Sequence, residues 1–403
     1  MSISSNFPNV TPSVVFDFEN NDYIDSRIKF FRNSSATFVG PDGLIEYCGY
    51  NTPRIHHNPS TGKREGLLIE ASQTNYVAYS NVTNWIAGGN ITATANQEVS
   101  PDGTTTATLI ANTGISNPVL YRSLSGEPAG KYTFSCFAKA NNSDVFYLRL
   151  DISTGVDSCL FRLQGDGFII QNSTAQTAKI EKYNNGWYRC SFTLESSTNI
   201  TNYVIGSDTS HPEASVFVWG AQLEVGDYAS SLIPTDGGSA SRAVEYGQID
   251  GAIVKKFLNK TEGTILANFE VHKGYFPISL GYDSSNYLAL FYSEPQVAYF
   301  QPNIGSLTHP NFVRTIGRTA LPAKYGISYN GYSRPIVKTS FAGVTNTFNN
   351  ASGGTSFLAA YDNLSFRFCG HHYNGFTDQA SMILKQFYYY SKDIPMNWYT
   401  RNT

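Results

Sequence analysis

Hydrophobic and polar residues alternate along much of the chain. Residues 146–152 place Phe, Leu, Leu and Ile at every second position, with Tyr, Arg and Asp between them, and the same period of two returns at 188–194 and 265–271. Successive side chains of a strand point to opposite faces, so this period predicts strands with one buried face and one wet face. Such strands are typical of antiparallel sheets.

Short turn signals separate these alternating runs. Asn-Gly pairs stand at 185–186, 330–331 and 374–375, and Asp-Gly pairs at 102–103 and 166–167. These pairs favour tight hairpin turns. Helical periodicity with capping residues is almost absent, so the sequence predicts an all-β protein of antiparallel β-sandwiches.

Changes in composition suggest where the domains begin and end. Residues 1–70 hold Pro12, Pro41, Pro53 and Pro59 among short apolar pieces, which predicts an extended N-terminal arm rather than a unit with its own core. The run 234–249 begins with Pro, Thr, Asp, Gly and Gly and predicts a linker. We therefore expect an arm at 1–70, a first sandwich at 71–233, a linker at 234–249 and a second sandwich at 250–403.

Composition and charge exclude several classes of function. Charged residues make up 15% of the 403 residues, hydrophobic residues 41%, and the formal net charge is -3. No basic run offers the charge that a phosphate backbone requires, so we expect no nucleic-acid binding. We also expect no signal peptide and no membrane insertion, because the start is polar and no apolar stretch is long enough to span a bilayer. Five widely spaced cysteines without a C-x-x-C pair predict free thiols in a protein made in a reducing cytoplasm.

Short motifs in a fixed order carry the most specific signal. They are DSRIKF at 25–30, SSATFV at 34–39, NTPRI at 51–55, GLLIE at 66–70, NGWYRC at 185–190, VWGAQLEVG at 218–226 and SLIPT at 231–235. The set closely resembles a module of bacteriophage tail-fibre and other virion structural proteins. Leu232 departs from it, since an aromatic residue is usual there. The resemblance implies a carbohydrate-binding-module-like jelly roll at 71–233. The runs 263–269, 329–331, 374–376 and 384–390 resemble the concanavalin-A-like (laminin-G-like) sandwich that often follows in such phage proteins, which implies such a sandwich at 250–403.

This resemblance also implies a function. We expect a virion structural protein, a tail-fibre-like or surface-appendage subunit, that attaches to other virion proteins, forms a homo-oligomer, most simply a trimer, and binds host-surface glycans or other receptors. Its localisation would be the virion, after synthesis in the host cytoplasm. Two alternatives are a capsid decoration or head-fibre protein with a purely architectural role and a glycan-degrading depolymerase.

Aromatic residues are the candidate ligand contacts. An indole can stack on a sugar ring but is equally suited to a sandwich core, and tyrosine offers a broad surface with a polar tip. The candidates are Trp187 and Trp219 in the first sandwich and Tyr282, Tyr287, Tyr292, Tyr329, Tyr332 and Tyr373 in the second.

The histidine and carboxylate residues of the sequence give little support for a metal site or a catalytic site. The neighbouring pairs His56–His57 and His371–His372 point to opposite faces of a strand and cannot readily share an ion. We expect no cofactor; calcium held by Asp151, Asp157 and Asp166 at the jelly-roll rim is the alternative. Glu270, Glu294 and Asp362 form no recognisable pair of acid and base for glycan hydrolysis, so we expect no enzymatic activity.

Overall fold

The structure is a computed structural model. It describes residues 10–21, 23–172, 177–273, 278–283, 286–293, 297–304, 307–308, 312–315, 323–330, 336–341, 344–349, 364–369 and 380–394. Among these residues, none of the helices is long and apolar enough to cross a membrane.

The all-β class is confirmed. Before residue 70 the strands are β1 (Val14–Asp17), β2 (Ile28–Phe31), β3 (Ala36–Val39), β4 (Ile45–Cys48), β5 (Arg54–His57) and β6 (Arg64–Ile69). The next are β7 (Gln73–Asn75), β8 (Ile86–Ala87), β9 (Ile91–Glu98), β10 (Ala107–Asn112), β11 (Val119–Glu127), β12 (Gly130–Ala140), β13 (Val145–Ile152), β14 (Gly155–Arg162), β15 (Phe168–Asn172), β16 (Thr177–Lys182), β17 (Trp187–Ser196), β18 (Ile200–Gly206), β19 (Ser215–Val225) and β20 (Ala240–Arg242).

The remaining strands and the short helix α1 (Gly251–Val254) follow residue 245. They are β21 (Tyr246–Ile249), β22 (Glu262–Lys273), β23 (Ile278–Asp283), β24 (Asn286–Ser293), β25 (Val297–Ile304), β26 (Leu307–Thr308), β27 (Phe312–Thr315), β28 (Ala323–Asn330), β29 (Ile336–Phe341), β30 (Val344–Asn349), β31 (Ser365–Phe368) and β32 (Ser381–Tyr390).

The jelly roll consists of two six-stranded antiparallel sheets. One sheet has the order β16-β17-β12-β19-β10-β9 and the other β15-β14-β13-β18-β11-β8. Alternation decides which side chains meet between them: Phe146, Leu148 and Leu150 of β13 face Phe192 and Cys190 of β17 in one fully buried cluster. We call the sheet that contains β17 the inner sheet, because the face that it turns away from the jelly-roll core is directed toward the second sandwich.

The second sandwich includes strands from both ends of the chain. One sheet has the order β30-β29-β28-β22-β32-β6-β5, with β1 also paired to β32, and the other runs β2-β21-β31-β23-β24-β25-β26, with β27 on β25. Phe16 lies opposite Phe387 across the β1–β32 pair, and the two rings stack with centroids 5.8 Å apart. Phe269 joins them in the core.

The structure therefore differs from the expected arm and linker. The segment before residue 70 supplies β1, β2, β5 and β6 to the two sheets of the second sandwich, and the expected linker supplies β20 and β21. The prolines suggested an arm because these strands are short and lie between turns. β1, β2 and β6 pair with strands more than 200 residues away along the chain, and β5 pairs with β6. The jelly roll is thus an insertion within the second sandwich.

A neck of paired strands and buried charges joins the two sandwiches where the chain enters and leaves the jelly roll. β7 on the way in pairs with β20 on the way out. Next to them, Glu245 accepts hydrogen bonds from Arg32 Nη1 at 2.7 Å, from Arg54 Nη2, and from the backbone N–H of Glu70 at 2.8 Å. The side chains of these ion pairs are almost completely buried.

Glu70 is the second acceptor of this neck. It pairs with Arg54 at 2.9 Å and with Arg242 at 3.2 Å, and it accepts from the backbone N–H of Ser231 at 2.9 Å and from its hydroxyl at 2.6 Å. Burial alone would raise the pKa of Glu70, but the guanidinium groups of Arg242 and Arg54 outweigh it and hold that pKa well below its usual range. The charge of Glu70 is therefore part of the folded structure.

Candidate functional site

A cleft of about 710 Å³ lies between the outer face of the inner sheet and the second sandwich. Its walls come from the β3–β4 hairpin, β5 and β6, from β12, β16 and β17, from the loop after β19, and from the C-terminal part of β22 and β32. Its volume falls within the range of small-molecule sites, which are roughly 300 to 1,000 Å³. We call it the junction cleft.

The jelly-roll wall is polar because of the register of three strands. Thr193 of β17 stands between Thr133 of β12 and Thr177 of β16, and the hydroxyls of Thr133 and Thr193 are 2.8 Å apart. Four residues earlier on the same face of β17, Arg189 stands between Phe137 and Glu181. The alternation that buries Cys190 and Phe192 thus directs hydroxyls and charges into the cleft.

Glu65 of β6 is the acidic side chain on the opposite wall. Its Oε1 accepts a hydrogen bond from Asn58 Nδ2 at 3.2 Å, and its Oε2 lies 3.9 Å from His56 Nε2. Burial raises the pKa of the Glu65 carboxyl, and the nearby charge of Glu270 adds to the rise. Burial also lowers the pKa of His56, from 6.5 to about 4, so this imidazole is neutral at pH 7.

Two other carboxylates of the cleft, Glu181 and Glu270, have lysine partners. Glu181 lies 2.6 Å from Lys179, and Glu270 lies 4.0 Å from Lys385. Burial alone would raise the pKa of Glu181, but the ammonium of Lys179 outweighs it and lowers that pKa. The cleft therefore holds two carboxyl groups, Glu65 and Glu181, whose pKa values are shifted in opposite directions.

An aromatic pair stands beside these charges. The rings of Tyr228 and His272 are nearly parallel, with centroids 6.0 Å apart and an interplanar angle of 16°. The Tyr228 hydroxyl donates to Ser381 Oγ at 2.7 Å, and burial raises the pKa of this tyrosine. The pair thus places two nearly parallel rings in the cleft lining, one from the loop after β19 and one from β22.

The two candidate tryptophans lie in the core rather than on a binding surface. Trp187 is 1% exposed and donates from Nε1 to the Val99 carbonyl at 2.9 Å, and Trp219 is 8% exposed and donates to Thr106 Oγ1 at 3.1 Å. The β3–β4 hairpin covers them, with Val39 in the same cluster. The predicted contact of their indoles with a ligand is wrong, because this hairpin excludes a ligand from both rings.

The candidate tyrosines divide between buried and undescribed positions. Tyr329 is 5% exposed, and its hydroxyl bonds to the Tyr389 hydroxyl at 3.0 Å and the Asn259 carbonyl at 2.7 Å, so it is a core residue and its predicted ligand role is wrong. Tyr332 and Tyr373 lie outside the described residues. The others lie within strands: Tyr282 in β23, and Tyr287 and Tyr292 in β24.

The three aspartates of the calcium alternative do not converge. Asp151 pairs with Arg149 at 2.7 Å, Asp157 is buried on the core side of β14, and Asp166 is 99% exposed and pairs with Lys182. No group of three or more His, Cys, Asp or Glu side chains placed to hold a metal occurs in the part of the chain that the structure describes. Glu294, Asp362, His371 and His372 lie outside those residues.

Sequence reasoning missed most of the junction cleft. Glu270 was considered as an acid and His56 as a metal ligand, but Glu65, Glu181 and Arg189 were not considered as partners of either. They come from β6, β16 and β17, which are far apart along the chain. The available signal was the polar side of the alternating strand at 188–194, which predicted a wet face without indicating what covers it.

Similarity to known proteins is found among solved structures alone. No protein-family model matches the chain, and no curated protein matches it. Among solved structures it is similar to the CBM40 of the Ruminococcus gnavus IT-sialidase bound to alpha2,3 sialyllactose, at 12% identity and a TM-score of 0.30, over 34% of this chain and 81% of that chain.

Two further solved structures are similar to this chain at comparably low identity. The NanB sialidase of Streptococcus pneumoniae matches at 11% identity and a TM-score of 0.32, over 38% of this chain and 26% of that chain. Mouse laminin alpha1 domains LG4-5 match at 7% identity and a TM-score of 0.25, over 85% of this chain and 93% of that chain. At these identities the similarity concerns the fold alone.

Proposed function

We propose that this chain is a bacteriophage virion structural protein of the tail-fibre or surface-appendage type that binds a host-surface glycan in the junction cleft. The observation that carries the binding proposal is the cleft itself, whose lining combines hydroxyls, carboxylates and a guanidinium with aromatic and aliphatic side chains. The ordered motifs support the virion role. In the structure these motifs supply the neck, including Arg54, Glu70 and Ser231.

A saccharide suits this lining for chemical reasons. Sugar hydroxyls both donate and accept hydrogen bonds, and the lining offers acceptors such as the Glu65 carboxyl and donors such as the Lys179 ammonium. Sugar C–H faces pack on flat rings, and the Tyr228–His272 pair provides such a surface. A largely apolar ligand would displace water from Glu65, Lys179 and Arg189 without replacing its hydrogen bonds, which is costly.

The binding proposal is tested with a glycan array and isothermal titration calorimetry on the full chain. Glu181→Gln in the cleft should weaken binding of any captured glycan, because it changes the charge of the wall while preserving its shape. Glu195→Gln is the matched control, since Glu195 lies exposed at the end of β17 and pairs only loosely with Lys131 at 3.8 Å. Equal affinity in both variants would exclude the cleft as the site.

The virion proposal has its own test. Gold-labelled antibodies against the chain, imaged on intact particles by electron microscopy, should decorate a tail or surface appendage. Uniform decoration of the head surface would favour the architectural alternative of a capsid decoration or head-fibre protein. Failure to label any particle would contradict membership of the virion.

One observation favours a second candidate, glycan hydrolysis. Glycosidases need a protonated carboxyl as acid beside an ionised one, and the pKa values of Glu65 and Glu181 are shifted apart in that sense. In that case Glu65→Gln should abolish release of reducing ends from a bound polysaccharide while leaving its binding largely intact. A wild-type chain that binds a polysaccharide without cleaving it would exclude this candidate.

A further inference from the structure

The β3–β4 hairpin forms a two-stranded sheet of its own, so it is attached to the rest of the protein without the strand pairing of a larger sheet. Its side chains Val39 and Ile45 belong to the same buried cluster as Trp187 and Trp219 of the jelly roll. The contacts that hold this hairpin in place therefore also decide whether the two indoles stay covered.

Two imidazole rings hold the backbone of Val39. The Val39 N–H donates to His56 Nδ1 at 3.4 Å, and His57 Nδ1 lies 3.2 Å from the Val39 carbonyl oxygen. A backbone N–H can only donate a hydrogen bond, and a carbonyl can only accept one. His56 Nδ1 must therefore be unprotonated, whereas His57 Nδ1 must carry a proton.

These two contacts respond differently to acid. A histidine cation carries a proton on both ring nitrogens, so the bond from His57 to the Val39 carbonyl survives protonation. Protonation of His56 removes the acceptor and turns a new N–H toward the Val39 N–H. It also places a positive charge on a side chain that is only 19% exposed. Acid therefore breaks the contact of one ring and leaves that of its neighbour intact.

The surroundings of His56 oppose its positive charge. Burial is the main cause that lowers the pKa of His56 from 6.5 to about 4, and Arg54 and His272 add to it, while nearby carboxylates favour the cation but do not outweigh burial. Glu65 Oε2 lies 3.9 Å from His56 Nε2, but burial raises the pKa of this carboxyl, so its negative charge is lost as the pH falls. The charged and titratable groups around these side chains are Arg54 and His57 on β5, Glu65 and Glu70 on β6, Lys179 and Glu181 on β16, Arg189 on β17, Glu270 and His272 on β22, and Lys385 on β32.

We infer that the His56–His57 pair is a pH-sensitive switch that holds the β3–β4 hairpin at neutral pH and releases it when His56 is protonated. Release would uncover the indoles of Trp187 and Trp219, which this hairpin covers. The switch is independent of what the junction cleft binds, so it stands or falls separately from glycan binding.

The other contacts of the hairpin oppose its release. Thr37 Oγ1 donates to the Leu232 carbonyl at 2.6 Å, and the Ile45 N–H donates to the Pro101 carbonyl at 2.8 Å. Hydroxyls and backbone amides do not titrate in the acidic range, so these contacts oppose release equally at each pH. The titration of His56 alone then sets how release depends on pH.

Hydrogen–deuterium exchange followed by mass spectrometry tests the switch on the full chain, because it reports residues 36–48 separately from the jelly-roll strands. After correction for the intrinsic exchange rate, the protection of residues 36–48 should fall about 30-fold between pH 7.5 and pH 5, the ratio that a pKa of 6.5 in the released form and about 4 in the attached form gives. The stabilisation by neutral His56 is present above pH 6.5 and is lost as the pH falls toward 4. Peptides of β12 and β17 should keep their protection. Unchanged protection of residues 36–48, or an equal loss in β12 and β17, would overturn the switch.

Two variants separate the rings. His56→Asn places an amide oxygen near the position of Nδ1, which keeps an acceptor that does not titrate, so the fall in protection should shrink to less than about threefold. His57→Asn is the matched control, because its amide N–H₂ keeps a donor near the position of Nδ1, and it should show the same fall as the wild type. An undiminished fall in His56→Asn, or its loss in His57→Asn, would contradict the assignment to His56.

A second measurement on the wild type covers the case that His56→Asn does not fold. Acrylamide quenching of tryptophan fluorescence should rise over the same pH range while the far-UV circular dichroism stays unchanged, because the indoles of Trp187 and Trp219 become accessible before the sandwiches unfold. Quenching that does not rise, or that rises only together with a loss of circular dichroism, would overturn the switch.

Discussion

The charge network of the neck gives the sharpest stability prediction. In Glu245→Gln the shape of the side chain is kept, but the negative charge between Arg32 and Arg54 is lost, and one acceptor oxygen becomes an N–H₂ donor facing donors. The carboxylate accepts from both guanidinium groups and from the Glu70 backbone N–H, all in the protein interior. Removing one partner of a buried ion pair costs about 3 to 5 kcal/mol. We expect a loss of unfolding free energy of this size.

The measurement is equilibrium urea unfolding followed by far-UV circular dichroism, with Glu195→Gln as the comparison. Glu195 also pairs with a basic residue, Lys131, but both side chains are exposed, so its substitution should change the free energy by less than about 1 kcal/mol. If Glu245→Gln unfolds within about 1 kcal/mol of the wild type, the neck is not held by its charges, and the attribution of stability to this network is refuted.

Three other predictions follow from the fold. Residues 76–236 alone should fold and melt cooperatively in circular dichroism, because the jelly-roll core is a separate cluster. A chain that lacks residues 1–70 should lose the second sandwich, whose core includes strands from that segment. If this shortened chain keeps both sandwiches, the nesting is contradicted. In the native chain a thiol reagent should titrate Cys48 first, because the other four cysteines are buried, and fast reaction of the Cys48→Ser variant would contradict this. As the pH falls from 6.5 to about 4, the free energy of unfolding of the wild type should drop by up to about 3 kcal/mol, because the unfolded chain binds a proton at His56 that the folded chain does not. In His56→Gln, urea unfolding should show a smaller dependence of this free energy on pH. An unchanged dependence would refute the assignment.

Local pattern predicted the strands well and their partners poorly. The alternation at 188–194 and 265–271 correctly indicated β17 and β22, and the Asn-Gly pair at 185–186 does precede β17. A period of two fixes which side chains share a face, but it does not say which distant strand lies beside them. The pairing of β1 with β32 joins opposite ends of the chain, and nothing in the four residues of β1 encodes it.

The candidate site shows the same limit at the level of side chains. Trp187 and Trp219 were predicted to bind a ligand because of their chemistry, and their burial depends on the β3–β4 hairpin, which lies about 140 and about 175 residues earlier in the chain. Glu65 and Arg189 attracted none, since an isolated glutamate or arginine on a strand is ordinary. They come together only where the two sandwiches face each other across the cleft.

The nesting of one sandwich inside the other has a consequence for synthesis on the ribosome. The chain leaves the ribosome with its N-terminus first, so β1, β2, β5 and β6 are synthesised long before β21 and β32. All strands of the jelly roll, in contrast, come from one continuous segment between them. The jelly roll can therefore finish folding while the earlier strands still lack partners, and contacts such as Phe16 with Phe387 close last, across 371 residues of sequence. Closing such long loops slows folding, but a folded insert whose ends are held together by β7 and β20 shortens the effective loop. The jelly roll thus acts as the template on which the second sandwich closes.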